Sequence, residues 1–217
     1  MKKIAVLLSG CGVFDGSEIH EAVLTLLALA QAGASYQCFA PDMAQLHVIN
    51  HAVGEVAETE SRNVLVESAR IARGEIKATT ELDVAEFDGL VIPGGFGAAK
   101  NLCDFAVNGA EAQISPLVTD FIGSFIKVKK VVGFICISPV MMPLLYGAGV
   151  KGTIGTDVDT AAAFNAMGGD HQAAQVDEVI VDAAHNVVST PAYMLAGNIV
   201  EVHSGISKLV AKVLERA

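Results

Sequence analysis

Short, almost continuously apolar runs alternate with longer amphipathic ones along the whole chain. Lys3–Leu8, Tyr36–Ala40, Gly89–Ile92 and Val131–Cys136 have the continuous apolar character of strands covered on both faces. Between them, apolar positions recur at helical spacing: Ile19, Ala22, Val23, Leu26 and Ala30 in one segment, and Leu195, Ile199, Val202, Ile206, Leu209 and Val213 in the last. This pattern predicts helices over about 18–32, 62–73, 116–128, 157–167 and 192–216. Asp15 and Glu18 are placed to form a capping box for the first helix, and Gly33 to end it. Ser138-Pro139 opens a further helix, with Ser as the cap and Pro at the first helical position. The stretch 41–60 is irregular, with room for a small hairpin near 46–56. Val179–Asp182 and Val187–Ser189 pair around Ala184–Asn186. Alternation of this kind, without linker or repeat, predicts one α/β domain over residues 1–217: a three-layer sandwich around a mostly parallel sheet.

Composition sharpens that picture. Of 217 residues 52% are hydrophobic and 18% charged, enough apolar matter for a large core, and Trp is absent. The formal net charge of −10 excludes a nucleic-acid partner, because a polyanion needs a basic footprint. No apolar stretch is both long and helical enough to span a bilayer, so no membrane partner is expected. Met1-Lys2-Lys3 before Ile4–Leu8 has the flavour of a signal peptide, but Ser9-Gly10 ends the apolar run too soon. Cys11, Cys38, Cys103 and Cys136 lie at irregular spacings with no C-x-x-C pair, which predicts free thiols in a reducing compartment and a cytoplasmic protein.

The chemistry centres on Val131-Val132-Gly133-Phe134-Ile135-Cys136-Ile137-Ser138-Pro139. Cys136 falls where a buried strand turns into a helix. The turn lifts its side chain above the sheet edge, where sites of open α/β sheets lie. It sets the thiol at a helix N-terminus, which favours thiolate and lowers a pKa from about 8.5 toward the reactive range. It also leaves the Ile137 N–H free to hold a developing oxyanion. A small core cysteine at the end of an apolar strand is the bland alternative. A second strand ends in Pro93-Gly94-Gly95-Phe96-Gly97, and the Gly95 N–H could complete the oxyanion hole.

The Pro93-Gly94-Gly95 turn, the Ile135–Pro139 elbow and Glu21 in the first helix together resemble the ThiJ/PfpI superfamily, of the class I glutamine-amidotransferase-like (flavodoxin-like) fold. Ser9–Glu21, Pro93–Leu102 and Thr190–Met194, three matches in order, make the chain similar to the superfamily's ElbB-like branch. The resemblance implies a cysteine nucleophile at Cys136 with Glu21 hydrogen-bonded near its sulfur. It implies a glutathione-independent glyoxalase acting on a small dicarbonyl, with no metal, nucleotide or other cofactor, as a homodimer. The superfamily also includes reported deglycases, some proteases and redox-responsive proteins, and the branch name carries a link to isoprenoid biosynthesis.

The chain departs from parts of the superfamily pattern. Superfamily proteases and several glyoxalases carry a histidine beside the cysteine or about twenty residues later. Here the neighbour is Ile137, and 152–160 holds no histidine. The His-x-Glu pair of glutamine amidotransferases is absent too, since Glu201-Val202-His203 has the reverse order and two different helical faces. Without a base paired to the thiol, amide hydrolysis is poorly supported, whereas aldehyde chemistry asks less. His20, next to Glu21, points about a quarter-turn away and is taken as a surface residue. A dinucleotide reading of Gly10–Gly16 is opposed by Asp15 and Glu18, which would crowd a pyrophosphate. His47 and His51 lack a third metal ligand nearby in sequence and read as loop residues. The runner-up is a regulatory thiol at Cys136 in a protein without efficient turnover.

Overall fold

A computed structural model describes all 217 residues. Its strands are β1 (Lys3–Leu7), β2 (Ser35–Ala40), β3 (Ile49–Asn50), β4 (Glu55–Val56), β5 (Ile76–Ala78), β6 (Gly89–Ile92), β7 (Val131–Ile135), β8 (Lys151–Gly152), β9 (Asp170–His171), β10 (Ile180–Asp182) and β11 (Val187–Thr190). The α-helices are α1 (Ile19–Gln31), α2 (Val64–Ile71), α3 (Phe105–Asn108), α4 (Pro116–Lys127), α5 (Met142–Tyr146), α6 (Val158–Ala166) and α7 (Ile199–Arg216).

Seven strands form one sheet in the order β10-β11-β7-β6-β1-β2-β5, parallel except for the edge pair β10–β11. β3–β4 and β8–β9 are separate two-residue ribbons. The chain runs outward from β1 through β2 to β5, then crosses to β6 on the other side of β1. The strand order therefore reverses between β1 and β6, and the crevice at their carboxyl ends is where an open α/β sheet offers a site.

Helices cover both faces, as residues buried throughout β6 and β7 demand. One face carries a core built on Phe39, Phe87, Phe121 and Phe125, with ring centroids 5.2–6.4 Å apart, closed by α4, α5 and α6. The other is closed by α1 and α7. On α7, Val202, Ile206, Leu209 and Val213 are fully buried at helical spacing, each stabilising by about 1.5–3 kcal/mol relative to exposure. No helix is long and apolar enough to cross a membrane.

The three-layer architecture is the one expected, with local differences. The final helix starts at Ile199, where Asn198 caps it through the Val200 and Glu201 N–H groups; Ala192–Met194 is a separate 3-10 turn. Ser138 does not cap the helix after β7. Its hydroxyl lies 2.9 Å from both the Ile92 and Ile135 carbonyls and accepts from the Ile135 N–H, lacing β6 to β7. Asp15 does not cap α1 either. Glu18 does, accepting the Glu21 N–H at 2.7 Å, while Asp15 accepts the Ile49 N–H at 2.7 Å and ties the β3–β4 ribbon to the loop after β1. The apolar stripe of α1 is also displaced. The residues that face the protein are Glu21, Ala22, Leu24, Thr25, Ala28 and Leu29, whereas Ile19, Val23 and Leu27 are exposed.

Candidate active site

Three loops meet at the switch point: Ser9–Glu18 after β1, Pro93–Gly97 after β6, and the Cys136 turn after β7. The first two are knitted by main-chain bonds. Glu18 N–H donates to Gly94 O, Phe96 N–H to Val13 O and Gly97 N–H to Gly16 O, at 2.7–2.9 Å. Asn101 fixes the same loop, donating to both Ser9 O and Asp15 O at 2.9 Å. The N–H groups of Gly10, Gly12 and Gly16 are already engaged by Ser68 Oγ, Ser17 O and Gly12 O, so this glycine loop is not an open phosphate cradle.

The Gly94-Gly95 pair is required by crowding. A Cβ on Gly94 would stand 2.5 Å from Cys136 Cβ and 2.8 Å from Glu21 Oε2. Gly95 has φ +91°, and a Cβ there would meet Glu18 N at 2.3 Å. Their absent side chains let β6 pass directly beneath the cysteine and the carboxylate.

Cys136 itself has φ +63°, a left-handed conformation that costs a non-glycine residue free energy. Its N–H is held by Thr190 O at 2.9 Å, which keeps the turn in place from β11. The Glu21 carboxyl and the Gly95 and Ile137 N–H groups lie close enough to its sulfur to bear on its titration. Glu21 is fully buried, and its carboxyl accepts Gly94 N–H at 2.9 Å and Tyr193 N–H at 3.2 Å. The four residues singled out by sequence, Cys136, Glu21, Gly95 and Ile137, thus form one cluster.

Electrostatics correct one expectation. Burial pushes the Glu21 carboxyl up to about 8, the Glu18 charge adds to it, and its hydrogen bonds oppose. Burial, then the charge and hydrogen bond of Glu21, hold the Cys136 thiol well above its ordinary value. The Gly95 and Ile137 N–H groups pull the other way without prevailing. The helix that follows is a four-residue 3-10 turn and a five-residue α-helix, too short for much dipole. Neither a helix end nor Glu21 therefore favours the thiolate; of the groups around the sulfur, only the Gly95 and Ile137 N–H groups do.

A cavity of about 380 Å³ opens over the sulfur, between Phe96, Phe105, Ile137, Tyr193 and Met194. Sequence reasoning missed Tyr193 as a site residue, although it lies in the matching stretch Thr190–Met194. Its N–H orders Glu21, and its hydroxyl meets His20 Nδ1 at 2.7 Å. His20 is accordingly exposed but tethered to the site rim, not a free surface residue. Asp157 and Thr160, at the start of α6, close the far wall. His51 lies outside the cavity, bonded to Ile49 O and Phe14 N–H.

The reversed sheet order, the strained cysteine turn and the buried glutamate beside it define an amidotransferase-like α/β protein of the ThiJ/PfpI type. No family model matches the chain. It is 45% identical to the rat "ES1 protein homolog, mitochondrial" over 98% of its own length and 83% of that protein. It is 44% identical to the human "Glutamine amidotransferase-like class 1 domain-containing protein 3, mitochondrial", over 98% and 82%. The crystal structure of an isoprenoid biosynthesis protein with an amidotransferase-like domain from Ehrlichia chaffeensis superposes with TM-score 0.92 at 38% identity, covering 100% of this chain and 99% of that one. The chain belongs to the ES1/ElbB-like family of class I glutamine-amidotransferase-like proteins. Glyoxalase III of Candida albicans shares the fold at TM-score 0.63 and 14% identity, over 99% of this chain and 97% of that one.

The cytoplasmic expectation is overturned, because the full-length curated relatives are named as mitochondrial proteins. Free thiols report a reducing environment and do not say which compartment supplies it.

Proposed function

We propose that the protein is a glutathione-independent glyoxalase that converts glyoxal, or methylglyoxal, to the hydroxy acid. The observation that carries this reading is Cys136 at the floor of a cavity, flanked there by Gly95 and Ile137, with the Glu21 carboxyl buried against it. Near neutral pH the pair holds both protons, and Glu21 loses its own at about 8 while the Cys136 thiol, held higher, keeps its proton; the reactive form is the Glu21 carboxylate beside the thiol, whose proton Glu21 takes as the sulfur attacks.

The sulfur adds to the aldehyde carbon, and the carbonyl electron pair moves to oxygen between the Gly95 and Ile137 N–H groups. Glu21 gives its proton to that oxygen, completing a hemithioacetal. As carboxylate it then removes the hydrogen on the same carbon, leaving an enediol, and returns it to the adjacent carbon while the hydroxyl proton passes between the two oxygens. The first carbon is now a thioester, oxidised, and the second an alcohol, reduced. Water cleaves the sulfur–carbon bond with Glu21 as base, which releases the hydroxy acid and restores the pair. The sum is dicarbonyl plus water, with no metal, nucleotide or external oxidant.

The redox alternative is less well supported, since sensor thiols are exposed and of low pKa, whereas Cys136 is 6% exposed with a raised pKa. Within the same reading we place a homodimer contact on the outward face of α1, where Ile19, Val23 and Leu27 form a stripe 42–46% exposed. The test is glycolate formation from glyoxal without glutathione: native protein should form it, while Cys136→Ser and Glu21→Gln should lose it or nearly so. Equal rates in all three would remove the pair from the mechanism.

A further inference from the structure

Both members of the Cys136–Glu21 pair are held from one short segment, the residues Thr190–Tyr193 at the end of β11. Thr190 O accepts the Cys136 N–H at 2.9 Å, and a few residues on the Tyr193 N–H donates to Glu21 Oε1 at 3.2 Å. Thr190 is itself fixed, its hydroxyl donating to Glu178 O at 2.8 Å. Between the two contacts the backbone is strained: Ala192, fully buried, has φ +45°. A left-handed alanine persists only where its surroundings over-determine it. The Tyr193 end is held by a side-chain contact, with its hydroxyl 2.7 Å from His20 Nδ1 and the two ring centroids 5.9 Å apart. His20 directly precedes Glu21 in the first turn of α1, yet it is exposed while Glu21 is wholly buried. Tyr193 thus grips two consecutive residues of α1, Glu21 through its main chain and His20 through its hydroxyl.

We propose that Thr190–Tyr193 is a brace that sets the Glu21 carboxyl against the Cys136 sulfur, and that His20 and the Tyr193 hydroxyl are the positioning pair that fastens it. The effect on turnover rests on the glyoxalase reading; the brace itself does not. Without the fastening the strained turn can relax, and the 3.2 Å bond from Tyr193 N–H, longer than the 2.9 Å bond from Gly94 N–H, is the first to go. The Glu21 carboxylate then keeps only the Gly94 donor. A carboxylate with fewer donors holds its proton more tightly, so the form that accepts the thiol proton is populated only at higher pH. The other ionisable groups bearing on Glu21 are Glu18, which caps α1, and Cys136, with Tyr193 at the rim. None of these is altered by a change at His20. His20 and Tyr193 act through Glu21, not on the substrate.

The experiment takes the intact protein and its His20→Ala, His20→Asn and Tyr193→Phe variants through two pH profiles. One is kcat and KM for glyoxal without glutathione; the other is the rate at which iodoacetamide alkylates Cys136, followed by peptide mass, which needs no turnover. The native midpoint should lie at about 8 in both. In His20→Ala and Tyr193→Phe it should move up by roughly half a pH unit or more. Below the midpoint kcat should then fall about threefold or more, with KM little changed, since half a unit is about a threefold change in the carboxylate fraction. His20→Asn, which can return a hydrogen-bonding atom near the place of Nδ1, should restore most of both. Unmoved midpoints in His20→Ala and Tyr193→Phe, whether or not kcat falls, would overturn the inference and leave the glyoxalase reading standing. Absence of glyoxal turnover in the native protein would remove that reading alone, and the alkylation midpoints would still decide the brace.

Discussion

Replacing Glu21 by Gln removes a group whose carboxyl is raised from 4.5 to about 8 by burial. Below the lower value both folded and unfolded chains hold its proton. Between 4.5 and about 8 only the folded chain does, so unfolding releases a proton and stability falls as pH rises through that window. At about 1.4 kcal/mol per unit, the full window corresponds to about 5 kcal/mol lost on the alkaline side. The Gln variant carries no such dependence, and burial alone still keeps its Cys136 thiol above the ordinary range. Gln has its own cost: one amide face can accept from Gly94 or Tyr193, but its NH₂ meets the other N–H. That mismatch costs about 1–3 kcal/mol at every pH. Urea unfolding followed by circular dichroism, at about pH 5 and about pH 8.5 and fixed ionic strength, separates the two effects. The native protein should be the more stable at the lower pH and the variant at the higher. Parallel stabilities at both pH values would refute a buried, proton-holding Glu21.

Other outcomes follow from the same geometry. Turnover of glyoxal should rise about tenfold per pH unit below about 8 and level off above it, because the pair must lose one proton to react; a flat profile would contradict that. Gly94→Ala should cost about 1–3 kcal/mol and most of the activity, since its Cβ would stand 2.5 Å from Cys136 Cβ; thermal melting and a rate assay check both. Val23→Glu should convert a dimer to a monomer in sedimentation analysis, and no change in mass would move the contact elsewhere.

Much of this was legible in the residues. β6 and β7 were found because parallel strands covered on both faces leave no polar position to mislead. Cys136, Gly95 and Ile137 followed, because a strand end fixes where its next residues must lie. The stripe on α1 was misjudged for a physical reason. Glu21, Thr25 and Glu18 form the polar wedge of that helix, and a polar wedge normally faces water; here it faces the site, and the apolar Ile19, Val23 and Leu27 are turned outward. Asp15 and Glu18 compete for one capping role three residues apart, and only the long-range bond from Ile49 decides between them. Tyr193 acts on Glu21 from 172 positions away, a contact no local pattern encodes. The sign of the Cys136 shift depends on burial and on a carboxyl brought in by another element, neither visible along the strand.

The most direct test counts glycolate molecules formed per protein molecule from glyoxal, without glutathione, in native protein and in Cys136→Ser. Many per thiol, and none above background in the variant, is the expected result. A single equivalent or none in the native protein would contradict a catalytic Cys136–Glu21 pair.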